Sequence, residues 1–327
     1  MKALIYTAPN TLTFKDAPDP VAKAGDIIIK IDSAGICGSD MHAFLGHDDR
    51  RPAPLILGHE VAGVTEDGRR VTINPLVTCG TCRFCTSGQD NLCQTRQIIS
   101  MPPREGGFAE WLAMPETNLV TVPDHVALNK AALTEPLACG WHAVRLGKKS
   151  LNNDLHQARV LVIGGGAIGV GAALCARAQG FDDITLVEPN DLRVAYLKNV
   201  IDFNVMHPDD IHADNAFDLV IDGVGYEKTR AMASAAVCSG GVILHIGLGS
   251  ATGGIDIRRL TLQEITFIGT YTYTAADFKA TATAIYDGRL GALDWFEERP
   301  LSEGQQAFLD IKAGKTAAPK IILKPRK

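Results

Sequence analysis

The sequence predicts two unlike folding units in one chain, a β-barrel or folded sheet in the first part and a doubly wound α/β sheet after it. Three observations carry that expectation. The chain has 327 residues, beyond the ~250–300 at which single hydrophobic cores stop growing. Residues 1 to roughly 125 read as short strands broken by Gly, Pro and Asp, with little helical period. From Arg159 onward strand, glycine turn and amphipathic helix alternate, the pattern of a parallel sheet with helices on both faces.

Composition bounds the partners. At 46% hydrophobic and 21% charged residues, the chain can bury a sizeable core. Its 32 basic and 37 acidic residues leave a formal charge of -5, and no Lys/Arg block is long enough to track a phosphate backbone, which argues against nucleic acid. No apolar run reaches the ~18 residues that span a bilayer. Met1 leads straight into the strand-like Lys2-Ala3-Leu4-Ile5-Tyr6, without the pattern of a secretion leader. A cytoplasmic protein that touches no membrane is expected.

In the first unit, Val61 to Val64 and Val71 to Ile73 flank Asp67-Gly68, a dipeptide that suits a two-residue hairpin turn because Gly tolerates positive φ. Upstream, Cys37-Gly38-Ser39-Asp40-Met41-His42 is followed by Gly58-His59-Glu60. Cys37 and His59 are ligand types that suit zinc, and one carboxylate would complete a three-ligand site with a free fourth position. Glu60 and Glu135, the latter in Thr134-Glu135-Pro136-Leu137, compete for the third place. Taken singly, each of these residues is more often a packed core side chain than a ligand.

The strongest motif is Cys79, Cys82, Cys85 and Cys93, four of the chain's 8 cysteines inside one short segment. Four thiolates at this spacing wrap one Zn²⁺ tetrahedrally and leave no open position, so this zinc is expected to be structural. An iron–sulfur cluster is disfavoured because the fourth spacing is not a ferredoxin pattern.

The second unit opens with Val160-Leu161-Val162-Ile163 and Gly164-Gly165-Gly166-Ala167-Ile168-Gly169, which satisfies G-x-G-x-x-G between a strand and a helix over Ile168 to Gln179. Its glycines allow a tight turn and close approach of the backbone to a pyrophosphate at the helix N-terminus. Glu188 ends the next strand, where a carboxylate accepts from both hydroxyls of the adenosine ribose and so favours NAD; Arg193 keeps NADP as the minority reading. Later strands are expected at Asp218 to Asp222, Val242 to Ile246 and, at an edge, Ile265 to Gly269. The loops after them offer further cofactor contacts at Val224, Ile246, Leu248, Thr270 and Tyr271, with Tyr271 also a candidate for the substrate pocket. The tail Ile321-Ile322-Leu323 is a short strand that returns to the first unit.

Together these motifs, with Gly107-Phe108-Ala109-Glu110 and Glu135-Pro136-Leu137, resemble the zinc-containing medium-chain alcohol dehydrogenase family over nearly the whole chain. The resemblance implies a chaperonin-10-like β-barrel catalytic domain, residues 1–140 completed by about 290–327, and a Rossmann NAD-binding domain over 141–289. It implies one catalytic and one structural zinc, with Cys37, His59 and a carboxylate as the catalytic set, as in the polyol and sorbitol branch that includes galactitol-type enzymes. The alcohol dehydrogenase branch places a second cysteine where this chain has Glu135; Cys139, one helical turn on, is expected merely to pack. The short Glu66-Asp67-Gly68-Arg69 connection replaces a longer hairpin of the family.

The implied activity is hydride transfer from a secondary alcohol of a polyol or sugar alcohol to NAD. Zinc lowers the pKa of a coordinated hydroxyl, and the nicotinamide takes the hydride. Ser39 would relay the proton through the cofactor ribose toward His42, and Asp40 would orient His59 by accepting its free ring N–H. Alternatives are a threonine-type or phosphorylated-polyol dehydrogenase, with Arg50 or Arg51 holding the anion, and a non-catalytic zinc-stabilised NAD-binding protein, which would have no use for Ser39 and His42. A homodimer or homotetramer is expected, with the edge strand as the pairing surface.

Overall fold

The computed structural model describes residues 1–151, 154–211 and 216–325. The first sheet has seven strands, with Asp26–Gly35 at its centre. Glu60–Thr65 pairs antiparallel with that central strand, and Arg70–Ile73 and Leu119–Thr121 follow outward. On the other side the tail strand Lys320–Lys324 pairs antiparallel with Asp26–Gly35 through Ile322 and Leu323, and parallel with Phe296–Pro300. The end of the chain thus completes the sheet that its beginning starts. A smaller three-stranded sheet of Lys2–Ala8, Thr11–Asp16 and Leu55–Ile56 packs beside it, and one apolar core containing Leu4, Ile29, Ile31, Val61, Phe108, Phe308 and Leu323 fills the interior.

The hairpin between Glu60–Thr65 and Arg70–Ile73 forms, but its turn differs from the two-residue expectation. Gly68 N–H donates to Thr65 O at 2.9 Å, Thr65 N–H to Arg69 O at 2.9 Å, and Gly68 sits at φ +87°. That is a three-residue loop, a turn closed by a left-handed glycine, in which the one positive φ falls where Gly removes its cost.

The second sheet is six-stranded and parallel, in the order Asn204–Met206, Asp183–Val187, Arg159–Ile163, Phe217–Asp222, Val237–His245, Thr266–Gly269. Numbered along the chain this is 3-2-1-4-5-6, the doubly wound order with its crevice at the first strand. Successive side chains point to opposite faces of a strand. Val160 and Val162 accordingly join the core under the helices Thr134–Lys148 and Ala167–Ala178, and Leu161 and Ile163 join the opposite core with Ala233 and Ala236 of the helix Glu227–Ala236. The helix Thr134–Lys148 runs unbroken through residue 140 and carries the chain from one sheet to the other.

Candidate active site and metal centres

The Cys₄ lobe is the simplest site to derive. Cys79 Sγ lies 3.9 Å from Cys85 Sγ and 3.6 Å from Cys93 Sγ, and Cys82 Sγ lies 3.5 Å from Cys85 Sγ. Zn–S bonds of ~2.3 Å in a tetrahedron put sulfurs ~3.8 Å apart, so the four fit Zn²⁺ with almost no movement. Backbone N–H groups of Thr81 and Cys82 pull the Cys79 thiol down to about 5, toward the thiolate a metal needs.

The second donor set assembles from three elements. Cys37 stands just before the short helix Gly38–Phe44, and Asp40 of that helix accepts the Cys37 N–H at 3.0 Å. The same carboxylate accepts the Gly58 N–H at 3.2 Å and lies 3.5 Å from His59 Nδ1, itself 3.4 Å from Ser100 Oγ. With Nδ1 turned to these groups, Nε2 is left for a metal. Burial opposes the charge on Asp40, but His59 and the Cys37 N–H outweigh it and hold the carboxyl below the usual range. Glu60 is fully buried, and its donor atom lies within 4.8 Å of those of Cys37 and His59. A thiol, an imidazole and a carboxylate converging in a buried pocket suit Zn²⁺.

Glu135 lies outside that group of three. It is buried in the first turn of Thr134–Lys148, accepts the Tyr273 hydroxyl at 2.8 Å, and is pushed above the usual carboxylate range by burial, against the pull of His59. Cys139 packs against the apolar cluster of Leu76, Ala138, Tyr273 and Phe278. Ser39 and His42 are half-buried, three residues apart on the same helix. Arg50 and Arg51 are both paired with Asp48; Arg51 is buried and also donates to Ser100 O at 3.0 Å, while the Arg50 side chain remains 66% exposed.

Two contacts were not evident in the sequence. Lys320 Nζ donates to both Glu60 oxygens, at 2.6 and 2.7 Å, and to Ile36 O at 2.7 Å. Tyr273 is fully buried against Glu135. A lysine directly before the apolar run Ile321-Ile322-Leu323 was the available signal for the first. For the second it was a tyrosine set just before the helix start Thr274-Ala275-Ala276-Asp277.

The glycine turn fits a dinucleotide. Gly164 has φ +102°, and a Cβ on Gly169 would stand 1.7 Å from Gly164 O, so the helix packs closer than any side chain allows. Nothing lies within 4 Å of a Cβ placed on Gly166, which faces open space at the start of the helix Ala167–Ala178. Glu188 is buried at the end of its strand, accepting N–H groups of Gly165 at 2.8 Å and Asn190 at 2.9 Å. Arg193 donates to Thr316 O at 3.1 Å while its Nε is buried without a partner, an orphaned donor suited to an oxygen-rich ligand. Val224 packs on Gly164. Ile246 and Leu248 follow the strand Val237–His245, Leu248 being 75% exposed. Thr270 N–H donates to His245 O at 3.0 Å. The Tyr271 side chain is engaged by the Cys₄ lobe, its hydroxyl accepting from Arg96 Nε at 3.1 Å.

One cleft of about 270 Å³ is lined from both halves, by Cys37, Glu60 and Lys320 from the first and by Gly166, Ile168 and Arg193 from the second. A metal-donor set sharing one cleft with a dinucleotide cradle is the layout of a metal-assisted, dinucleotide-dependent oxidoreductase. Residues 23–124 match the family model of the alcohol dehydrogenase GroES-like domain and residues 167–287 that of the zinc-binding dehydrogenase. An L-idonate 5-dehydrogenase of Vitis vinifera is 31% identical, over 76% of this chain and 74% of its own. A probable D-xylulose reductase A of Neosartorya fischeri is 28% identical, over 92% and 91%. Among solved structures, an Escherichia coli oxidoreductase of unknown specificity superposes with a TM-score of 0.90 at 26% identity, over 99% of this chain and 98% of that one. The chain belongs to the zinc-binding alcohol dehydrogenase family.

Proposed function

We propose that the protein oxidises a secondary hydroxyl of a polyol or sugar alcohol and passes the hydride to NAD. The observation that carries this reading is the shared cleft, which Cys37 and Glu60 line together with Gly166 and Arg193. The names of the relatives, an idonate dehydrogenase and a xylulose reductase, support a polyhydroxylated substrate.

In this reading Cys37, His59 and Glu60 hold the catalytic zinc, and Cys79, Cys82, Cys85 and Cys93 the structural one. Zinc supplies acidification of the substrate hydroxyl, and NAD accepts the hydride. Asp40 fixes the His59 ring through Nδ1. Glu135 stands beside the set as the second carboxylate, aimed by Tyr273. Ser39 and His42, three residues apart on the helix Gly38–Phe44, are the side chains that would receive the substrate proton and pass it on toward solvent. Glu188 accepts from the adenosine ribose hydroxyls, and its charge opposes a 2′-phosphate. Gly164, Gly166, Ala167, Ile168 and Gly169 cradle the pyrophosphate, with Val224, Ile246, Leu248 and Thr270 along the nicotinamide side.

The substrate unit comprises residues 1–140 with about 290–327, and the cofactor unit 141–289. The protein works in the cytoplasm; no described helix is long and apolar enough to cross a membrane. It forms a homo-oligomer through the open edge strand Thr266–Gly269, beside which Leu248, Ile257, Leu262 and Phe267 are exposed. The ligand assignment is tested by counting bound zinc in Glu60→Gln and Glu135→Gln. Loss of one zinc from the first and retention of both by the second is expected. The reverse result would move the third ligand to Glu135, and loss from neither would refute the set.

A further inference from the structure

The lobe closed by Cys79 and Cys93 reaches across to the segment that follows the last strand of the parallel sheet. Asn91, 3% exposed, donates Nδ2 to Tyr271 O at 2.8 Å. The Asp90 carboxylate accepts the Ala275 N–H at 3.0 and 3.3 Å, one of the donors that the first turn of the helix Ala275–Tyr286 leaves open. Arg96 donates Nε to the Tyr271 hydroxyl at 3.1 Å, stacks over that ring at 4.7 Å, and donates to Cys93 O at 2.9 Å. From these contacts we infer that the Cys₄ lobe is a clamp for the active site, in which Asp90 and Asn91 are positioning residues that hold Tyr271–Ala275 so that Tyr273 meets Glu135.

Asp90 and Asn91 belong to the single turn Asp90–Leu92 immediately before Cys93, and the Cys93 N–H donates back to Asp90 O at 3.0 Å. Where the thiolates stand therefore decides where these two side chains stand. The clamped segment is fixed at its far end by the capping box between Thr274 and Asp277, but its first half is strained. Thr272, next to Tyr273, has φ +46° and a buried hydroxyl with no partner, a conformation that is strained for a β-branched residue and persists only where the surroundings impose it. The lobe grips the segment at Tyr271 and at Ala275, the two ends. Between those grips Tyr273 turns inward, fully buried, and its hydroxyl reaches Glu135 at 2.8 Å. The structural metal site is thus linked to Glu135 through Cys93, the turn Asp90–Leu92 and the segment running from Tyr271 to Tyr273. The consequence for function rests on the proposed place of Glu135 in the site.

The test uses the zinc-loaded enzyme and the near-isosteric Asn91→Asp, which removes the donor to Tyr271 O. Hydrogen exchange in the peptide spanning 270–278 should accelerate about tenfold, the equivalent of one lost hydrogen bond. Exchange in Arg159–Ile163 and the two zinc per chain should stay as they were. In enzyme carrying Co²⁺ at the catalytic site, the visible absorption should shift in Tyr273→Phe, shift in the same direction in Asn91→Asp, and shift no further in the double variant. Arg83→Ala, on the same lobe but stacked on Phe84, should leave both readouts unchanged. Asp90→Ala, read in the same way, replaces Asn91→Asp if that variant sheds the lobe metal. Unchanged exchange over 270–278, or a Co²⁺ spectrum that moves in Tyr273→Phe but not in Asn91→Asp, would overturn the clamp. A spectrum unmoved by Tyr273→Phe would overturn it too, by removing Glu135 from the metal's surroundings.

Discussion

Gly35→Ala is a one-carbon test of how Glu60 is held. A Cβ at residue 35 would stand 2.0 Å from Glu60 Oε2 and 3.1 Å from its Cδ. Gly35 ends the central strand in ordinary extended backbone and is buried, so alanine meets no backbone penalty there and the whole effect falls on Glu60. That carboxylate cannot swing aside cheaply, because Lys320 holds both oxygens and all three positions are buried. Overpacking of this kind costs about 1–3 kcal/mol, and prying a buried carboxylate from its cation adds a further penalty of about 3 kcal/mol if the pair separates. The expected outcome is destabilisation of at least about 1 kcal/mol in denaturant unfolding, together with a drop from two bound zinc to one as Glu60 leaves its place. Zinc content by atomic emission and unfolding midpoints on the same preparation measure both. A variant that keeps two zinc and its full stability would show that Glu60 is neither tightly held nor a ligand.

Three further outcomes are expected. Gly166→Ala, where an added methyl meets no protein atom, should leave the unfolding midpoint within about 0.5 kcal/mol but weaken NAD binding at least tenfold in a fluorescence titration, since the methyl enters the pyrophosphate cradle. Glu188→Ser should raise the preference for NADP over NAD relative to the parent, with Arg193 left to meet the 2′-phosphate; an unchanged ratio of kcat/KM values would deny Glu188 that role. Asp48 is held at about 2 because Arg50 and Arg51 outweigh its burial. Its folded pKa lies below the ordinary 3.8, so its contribution to stability is present above about pH 4 and fades as pH falls toward about 2. Allowing for the exposure of Arg50, Asp48→Asn should cost about 1–2 kcal/mol at neutral pH and only about 0.4 kcal/mol or less at pH 2, read from urea midpoints against pH.

The features legible in the sequence are those whose parts lie close along the chain. The four thiols share one loop, so spacing alone announced a tetrahedral site, and the sulfur separations agree with it. The glycine turn was legible because strand, turn and helix are local, and five of the six parallel strands followed from the alternation after Arg159; the three-residue Asn204–Met206 was too short to mark itself. Tyr273 and Lys320 were not legible for the opposite reason: their partners lie 138 and 260 residues away, and only the tertiary fold, which for Lys320 seats the tail strand in the first sheet, brings them together. The same distance explains why Glu60 and Glu135 could not be ranked by sequence, since adjacency to His59 says nothing of where a carboxylate points. The hairpin at Gly68 failed at a finer level, where the sequence marked a turn but the strand register decided its length.

The most direct test of the account is to follow NADH absorbance with a panel of polyols, sugar alcohols, phosphorylated polyols and threonine while measuring bound metal on the same sample. The account predicts turnover of a polyol or sugar alcohol by enzyme carrying two zinc per chain. No turnover of any of these by enzyme that binds NAD and holds only the Cys₄ zinc would contradict it.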